Sequence, residues 1–355
     1  MRGAGRGALL AGLVLALAAC GPKGSDTTDG GAGEGPACTL PEVRPQPVDP
    51  ARRRFAMTVF HFNIEYVMGG LDGDGERYEP LCGETCAGWD NQAVEDWIVR
   101  ESFAPVVDFY LEHPQWGANI ELQAYMIEVI AERFPDLLPK LRTLVARGQI
   151  ELSSFHYADQ LFLAFPARDL QRSQALTRAV FERTCLPLSP VVFDQEGQAG
   201  AGWLRWLGTH GYRIGIFPKN LYRYQHGADA TWWPLYADGD ARMIIGPGGV
   251  DPESGVEFAW PFFDDGELLA VSGGLAPYLA PLVETDPARL DAFAEELSSL
   301  EAQGYLVTTV SDVVAHLEAA GIEARPVPPL LDGTWQAPST DSIHRWLGGR
   351  GQAPY

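Results

Sequence analysis

The stretch Phe262-Phe263-Asp264-Asp265-Gly266-Glu267 places three carboxylates in four consecutive positions, directly after the apolar run Val256–Trp260. Ionised carboxylates are rarely buried without partners. A cluster of them at the end of an apolar run is either a solvated Asp-Gly turn or a catalytic acid at the mouth of a barrel. The same pattern recurs at three other places: His61, Asn63 and Glu65 follow RFAMTVF, His156 and Asp159 follow QIELSSF, and Asp194 and Glu196 close SPVVFDQE. One polar residue at a strand end is ordinary loop chemistry. Repetition at successive strand ends is what a parallel barrel produces, because its functional residues gather at the carboxyl ends of the strands.

The segments between these points have the periodicities that would place them so. RFAMTVFHFNIEY reads as a first strand, Gln92–Leu111 as a helix, WGANIELQ as a second strand, and AYMIEVIAERF and DLLPKLRTLVARG as helices leading into strand QIELSSF. ARDLQRSQALTRAVFERT and GWLRWLGTHG read as helices around the buried strand SPVVFD, and YRIGIF, TWWPLYAD, ARMIIGP and VEFAWPFF as further strands. PARLDAFAEELSSLEAQG is a helix opened by proline, followed by strand YLVTTV and the capped helix SDVVAHLEAAG. Such alternation predicts an α/β fold with a parallel sheet and right-handed crossovers, closed or nearly closed, over residues 53–322. Residues 323–355 form a C-terminal extension in which Trp335 and Trp346 are candidates to pack over the barrel. LDGDGERYEPLCGETC alternates acids like a calcium loop but has Gly83 where the bidentate glutamate belongs, which leaves a polar turn.

Arg2 and Arg6 precede an apolar run, Ala8–Ala19, too short to span a bilayer, so residues 1–19 read as a signal peptide. Its end, LAAC, resembles a bacterial lipoprotein signal, which makes Cys20 the lipidation site and the membrane a partner through that lipid. Residues 20–52 are rich in Gly, Pro, Asp and Thr and read as a flexible tether. The remaining cysteines, Cys38, Cys82, Cys86 and Cys185, favour two disulfides in an exported chain, with three possible connectivities. A zinc site at Cys82 and Cys86 lacks a second close pair. A formal net charge of −21 excludes nucleic acid as a partner, since that binding rests on neutralising phosphates with Lys and Arg. Oligomeric state is not legible.

Four stretches, in order over residues 55–320, resemble glycoside hydrolase family 57. They are HFNIEYV, LVARGQIELSSFHY, VVFDQEGQAG with the WLRWLGTHGYRIGIF that follows it, and DDGELL. The resemblance implies a (β/α)7-type distorted parallel barrel, of the superfamily that also holds the family 38 mannosidases and the polysaccharide deacetylases. It also implies a glycan substrate, with Glu196 as nucleophile and Asp265 as general acid and base; Asp194, Asp264 and Glu267 are the alternative carboxylates. The residue types suit that chemistry, because a retaining glycosidase uses two carboxyl groups roughly 5 to 5.5 Å apart. His61, Asn63, His156, Asp159 and Trp260 are candidates to bind sugar, as are the indoles of Trp232 and Trp233. Phe-Asp-Gln before Glu196 and the residues after Leu268 depart from the family pattern, which keeps open a barrel that binds glycan without cleaving it. In an alignment with family 38, Asp194 falls on the nucleophile, and His61 with Asn63 falls on a zinc-binding pair in which Asn63 is a poor ligand. A deacetylase would need two closely spaced histidines, and the seven histidines supply no such pair. Neither metal nor cofactor is expected.

Overall fold

The computed structural model describes residues 39–64, 91–158, 160–271 and 284–335. Strand β1 (Arg54–Phe62) is buried along its length after Arg54, as expected of a central strand covered on both faces. It pairs in parallel with β2 (Ala118–Leu122) on one side and β8 (Glu257–Asp265) on the other, and β9 (Leu306–Val307) joins it at Phe55 and Ala56. Beyond β2 lies β3 (Ile150–Ser153), also parallel. A second sheet runs β10 (Arg325–Pro326), β6 (Tyr236–Asp238), β7 (Ala241–Gly246), β5 (Ile214–Pro218), β4 (Val191–Val192). Its one antiparallel pairing is the β6–β7 hairpin, which turns at Gly239 with φ 61°.

The two sheets meet at one side where the Ser189 N–H donates to the Leu152 carbonyl at 2.9 Å. At the other side no ladder joins β7 to β8. There side chains close the gap: the Trp260 indole lies so near Gly246 that a Cβ would stand 3.0 Å from its ring. The result is a distorted, mostly parallel α/β barrel of the kind expected.

Side chains alternate along β1 with period two. Phe55, Met57 and Val59 join the apolar cluster with Val191, Phe193, Ile214, Ile216 and Ile244 from the facing sheet. Ala56, Phe60 and Phe62 join the cluster formed with the helices. Continued by two residues, the first series puts His61 in the lumen. The same alternation in β2 gives Ala118, Ile120 and Leu122 to the helices and leaves Asn119 and Glu121 on the lumen side.

The helix expected over Gln92–Leu111 spans α1 (Asn91–Trp97) and α2 (Ala104–Glu112), joined by a π-helical turn at Ile98–Phe103. Pro105 accounts for the turn, since its ring cannot tolerate the normal position of the Glu101 carbonyl, and the Ala104 N–H bonds to Val99 five residues back. The outer layer continues with α3 (Ala124–Arg133), α4 (Leu137–Ala146), α5 (Ala167–Thr184), α6 (Trp203–Thr209) and α7 (Lys219–His226). It ends with α8 (Pro287–Ala302), capped by Asp286, and α9 (Val310–Ala319), capped by Thr309. Among the described residues no helix is long and apolar enough to cross a membrane.

Two boundaries differ from the sequence expectation. The segment read as tether up to Arg52 already lies against the fold: Arg44 N–H donates to the Ala146 carbonyl, Gln46 Nε2 to the Arg147 carbonyl, and Asp49 N–H to His316 Nδ1. Backbone groups bonded in this way offset the loss of chain freedom that its composition alone could not. The extension after residue 322 is likewise part of the domain, adding β10 to the sheet and pairing Gly333 with Ala199. Cys185, in a left-handed cap at φ 53° after α5, is disulfide-bonded. Cys20, Cys38, Cys82 and Cys86 lie outside the described residues, as do Glu65, Asp159 and Trp346.

Candidate active site

Past β4 the chain runs through Phe193 and Asp194 into a tight turn, closed by the Gly197 N–H donating to the Asp194 carbonyl at 2.8 Å. Glu196, at the centre of that turn, has φ 55° and ψ 23°. This left-handed conformation costs a residue with a side chain about 1–2 kcal/mol. Trp335 offsets it from two directions: its backbone N–H donates to the Glu196 carbonyl at 3.0 Å, and its indole Nε1–H to Glu196 Oε2 at 2.9 Å. The next residue must be glycine, because a Cβ at Gly197 (φ 57°) would stand 2.7 Å from Trp335 Cβ.

Asp265 ends β8 and stands in register with His61 on the neighbouring strand. Burial raises its carboxyl above the usual carboxylate range; His61 opposes that shift and Asp264 adds to it. His61 itself is 1% exposed, and its Nδ1–H donates to the Glu121 carboxylate, which is 3% exposed. Burial alone would strip the ring of its proton. Glu121 outweighs that effect, with Asp265 and Glu196 adding to it, and the imidazolium is pushed up to about 10. Phe193 and Trp335 meet the ring nearly edge-on, at 78° and 87°. The lumen therefore ends in the buried His61–Glu121 pair, in register with Asp265 and in ring contact with the Trp335 that bonds Glu196.

The other candidate residues fall into separate groups. Asp194 follows Val192 toward the outer cluster, where Trp203 Nε1–H donates to its Oδ2 at 2.6 Å and His156 Nε2 stands 3.3 Å from its Oδ1. Burial raises its carboxyl to about 6 against the pull of His156 and Trp203. The nucleophile of the family 38 alignment is thus sealed beneath an indole. Asn63 is 3% exposed, accepts from Gln123 through Oδ1, and donates its backbone N–H to Glu267 Oε1. Glu267 is 1% exposed and holds the loop after β1, whereas Asp264 is exposed and accepts the Asp265 N–H at 3.0 Å. Asp264 alone fits the solvated turn. Gly266 between them allows the close approach of Phe62, whose ring would be 2.5 Å from an added Cβ. Trp260 packs in the barrel seam against Phe263, Trp232 stacks on Phe258, and Trp233 lies under the Arg325 guanidinium.

Sequence reasoning passed over Glu121 and gave Trp335 no role at the carboxylates. A lone acid in ANIEL, otherwise apolar but for Asn119 and buried throughout, is the signal that marks Glu121. Nothing local marks Trp335, which reaches Glu196 from 139 residues away. Among the described residues, no three His, Cys, Asp or Glu side chains are grouped as metal ligands.

No family model matches the chain. It is 23% identical over 192 residues to alpha-amylase 1 of Dictyoglomus thermophilum, covering 47% of this chain and 27% of that protein. It is 30% identical over 77 residues to the 4-alpha-glucanotransferase of Thermococcus litoralis, covering 21% and 12% of the two chains. The crystal structure of that glucanotransferase superposes with a TM-score of 0.55 at 17% identity, over 79% of this chain and 42% of the other. The chain is thus similar in sequence to an alpha-amylase and to a 4-alpha-glucanotransferase, and it shares the fold of the latter. The barrel also matches the fold of a putative polysaccharide deacetylase from Mycobacterium smegmatis, with a TM-score of 0.50 at 11% identity, over 82% of this chain and 98% of that one. The chain spans less than a third of the length of the curated relatives it matches.

Proposed function

We propose that this protein is a retaining glycoside hydrolase or transglycosylase acting on a glucan oligo- or polysaccharide, held to a membrane by lipid on Cys20. The observation that supports the catalytic reading is geometric: His61 stands in register with Asp265 and meets the ring of Trp335, whose indole N–H donates to Glu196. The names of the curated relatives support a glucan as substrate.

In this reading the ionised Glu196 attacks the anomeric carbon as the bond to the leaving oxygen breaks, and Asp265 passes its proton to that oxygen. The product is a glycosyl ester of Glu196. Asp265, now ionised, takes a proton from a water or an acceptor hydroxyl, whose oxygen attacks the same carbon and frees Glu196. Water as acceptor gives hydrolysis and a sugar hydroxyl gives transfer. The raised Asp265 carboxyl suits the first step, and the Trp335 indole and the left-handed turn hold Glu196 in place for it.

Incubation with maltoheptaose, with product chains resolved by chromatography, tests the reading. Wild type should yield shorter or redistributed chains, and Asp265→Asn should lower turnover by about 10² to 10⁴. Undiminished turnover in Asp265→Asn would remove the assignment, and glucan binding without turnover in the wild type would favour the non-catalytic barrel. For the anchor, Cys20→Ser should move the protein to the soluble fraction or leave it uncleaved; membrane retention of a correctly processed variant would defeat that part.

A further inference from the structure

We propose that Glu121 is a positioning residue: its buried carboxylate fixes His61 through Nδ1, so that the opposite ring nitrogen is held as a donor for the site formed by Glu196 and Asp265. This inference rests on the catalytic reading above.

A carboxylate on β2 is expensive. All five residues of that strand are buried, and an ion pair taken out of water is often no more stabilising than a well-packed apolar pair of the same volume. Stability therefore does not explain a His–Glu pair at the end of the lumen. Its effect on the imidazole does. With Nδ1–H bonded to the Glu121 carboxylate, the ring is held doubly protonated and its tilt is set, with the rings of Phe193 and Trp335 packed nearly perpendicular to it. The remaining nitrogen, Nε2, is buried and has no hydrogen-bond partner among the described residues. Buried N–H groups are nearly always satisfied, so an unsatisfied one on a ring in register with Asp265 and packed on the Trp335 that bonds Glu196 marks the place of an acceptor. A hydroxyl or ring oxygen of the sugar being cleaved has the right chemistry. The arrangement parallels a buried acid that orients a histidine from behind, whose loss spares the geometry of the reacting groups but not their rate.

The test uses the full chain with 15N-labelled histidine and two variants, Glu121→Gln and Glu121→Leu, each confirmed folded by thermal melting. In wild type the His61 signals should show a cationic ring with a slowly exchanging Nδ1 proton at pH 8; in both variants they should show a neutral ring. On maltoheptaose, Glu121→Gln should lower kcat by about 10- to 100-fold with KM held within about threefold. If the His61 signals are unchanged in both variants, the proposal falls whatever the turnover. If they change while kcat stays at the wild-type value, Glu121 holds the ring but does not serve the reaction, and the proposal also falls. If wild type converts no glucan while the signals behave as expected, the catalytic reading fails and the hold on His61 stands.

Discussion

Replacing the buried pair by neutral partners of similar shape, His61→Asn with Glu121→Gln, should change how stability depends on pH. The ring goes from 6.5 to about 10 on folding, burial being outweighed by Glu121, Asp265 and Glu196. At about 1.36 kcal/mol per pH unit this is worth on the order of 5 kcal/mol. The sign follows from the direction. A cationic group raised on folding contributes fully below its unfolded value, and that contribution disappears as pH rises through the folded one. The stability of the wild type relative to the double variant should therefore fall between pH 6.5 and pH 10, by about 2 kcal/mol at pH 8. Urea unfolding followed by tryptophan fluorescence, extrapolated to water at each pH, measures both proteins in the same way, so that tyrosines and lysines titrating in that range cancel in the difference. Parallel curves from pH 6 to pH 10 would show that the pair is not held as an ion pair, and the account of the site built on it would be wrong.

Two acids of the DDGE segment should separate by stability: Asp264→Asn, at an exposed position, within about 0.5 kcal/mol of wild type, and Glu267→Ala lower by about 2–3 kcal/mol in urea unfolding because the Asn63 N–H loses its carboxylate acceptor. Gly266→Ala should cost about 1–3 kcal/mol by pushing on the Phe62 ring, and Phe62→Leu in the same chain should recover part of it; no recovery would place the strain elsewhere. Trp335→Phe keeps a ring against His61 but removes the indole donor, and should lower stability by about 1–2 kcal/mol, with a loss of kcat that exceeds any change in KM for maltoheptaose.

The barrel was legible because period-two strands and helical faces are local signals; so were the strand ends, since each polar cluster follows an apolar run. Which acid faces the lumen was only half legible. Alternation along β8 separates Asp264 from Asp265 from sequence alone, but that Glu267 is buried depends on Phe62 and Asn63 of another strand. Asp194 and Glu196 are two residues apart, and it is the left-handed turn that sends one to an outer indole and the other to Trp335. His61 and His156 read alike in sequence and differ in what their neighbours contribute: Glu121 keeps the first charged in the lumen, while the second sits on Asp194 outside it. The helix expected over Gln92–Leu111 was right in extent but not in its winding, because the effect of Pro105 depends on where the helix packs.

The turn that carries Glu196 is completed by residues near the far end of the domain, Gly333 through Ala199 and Trp335 through the glutamate itself, across a separation of 139 residues. During synthesis the carboxylate leaves the ribosome well before the indole that holds it, by roughly 7 to 28 s at ordinary rates of elongation. Until then the left-handed turn has no partner, and the emerging chain carries its acids without the arrangement that would make them a site. A chain that has emerged as far as β10, wherever it folds, can have most of its barrel and still lack the hold on Glu196.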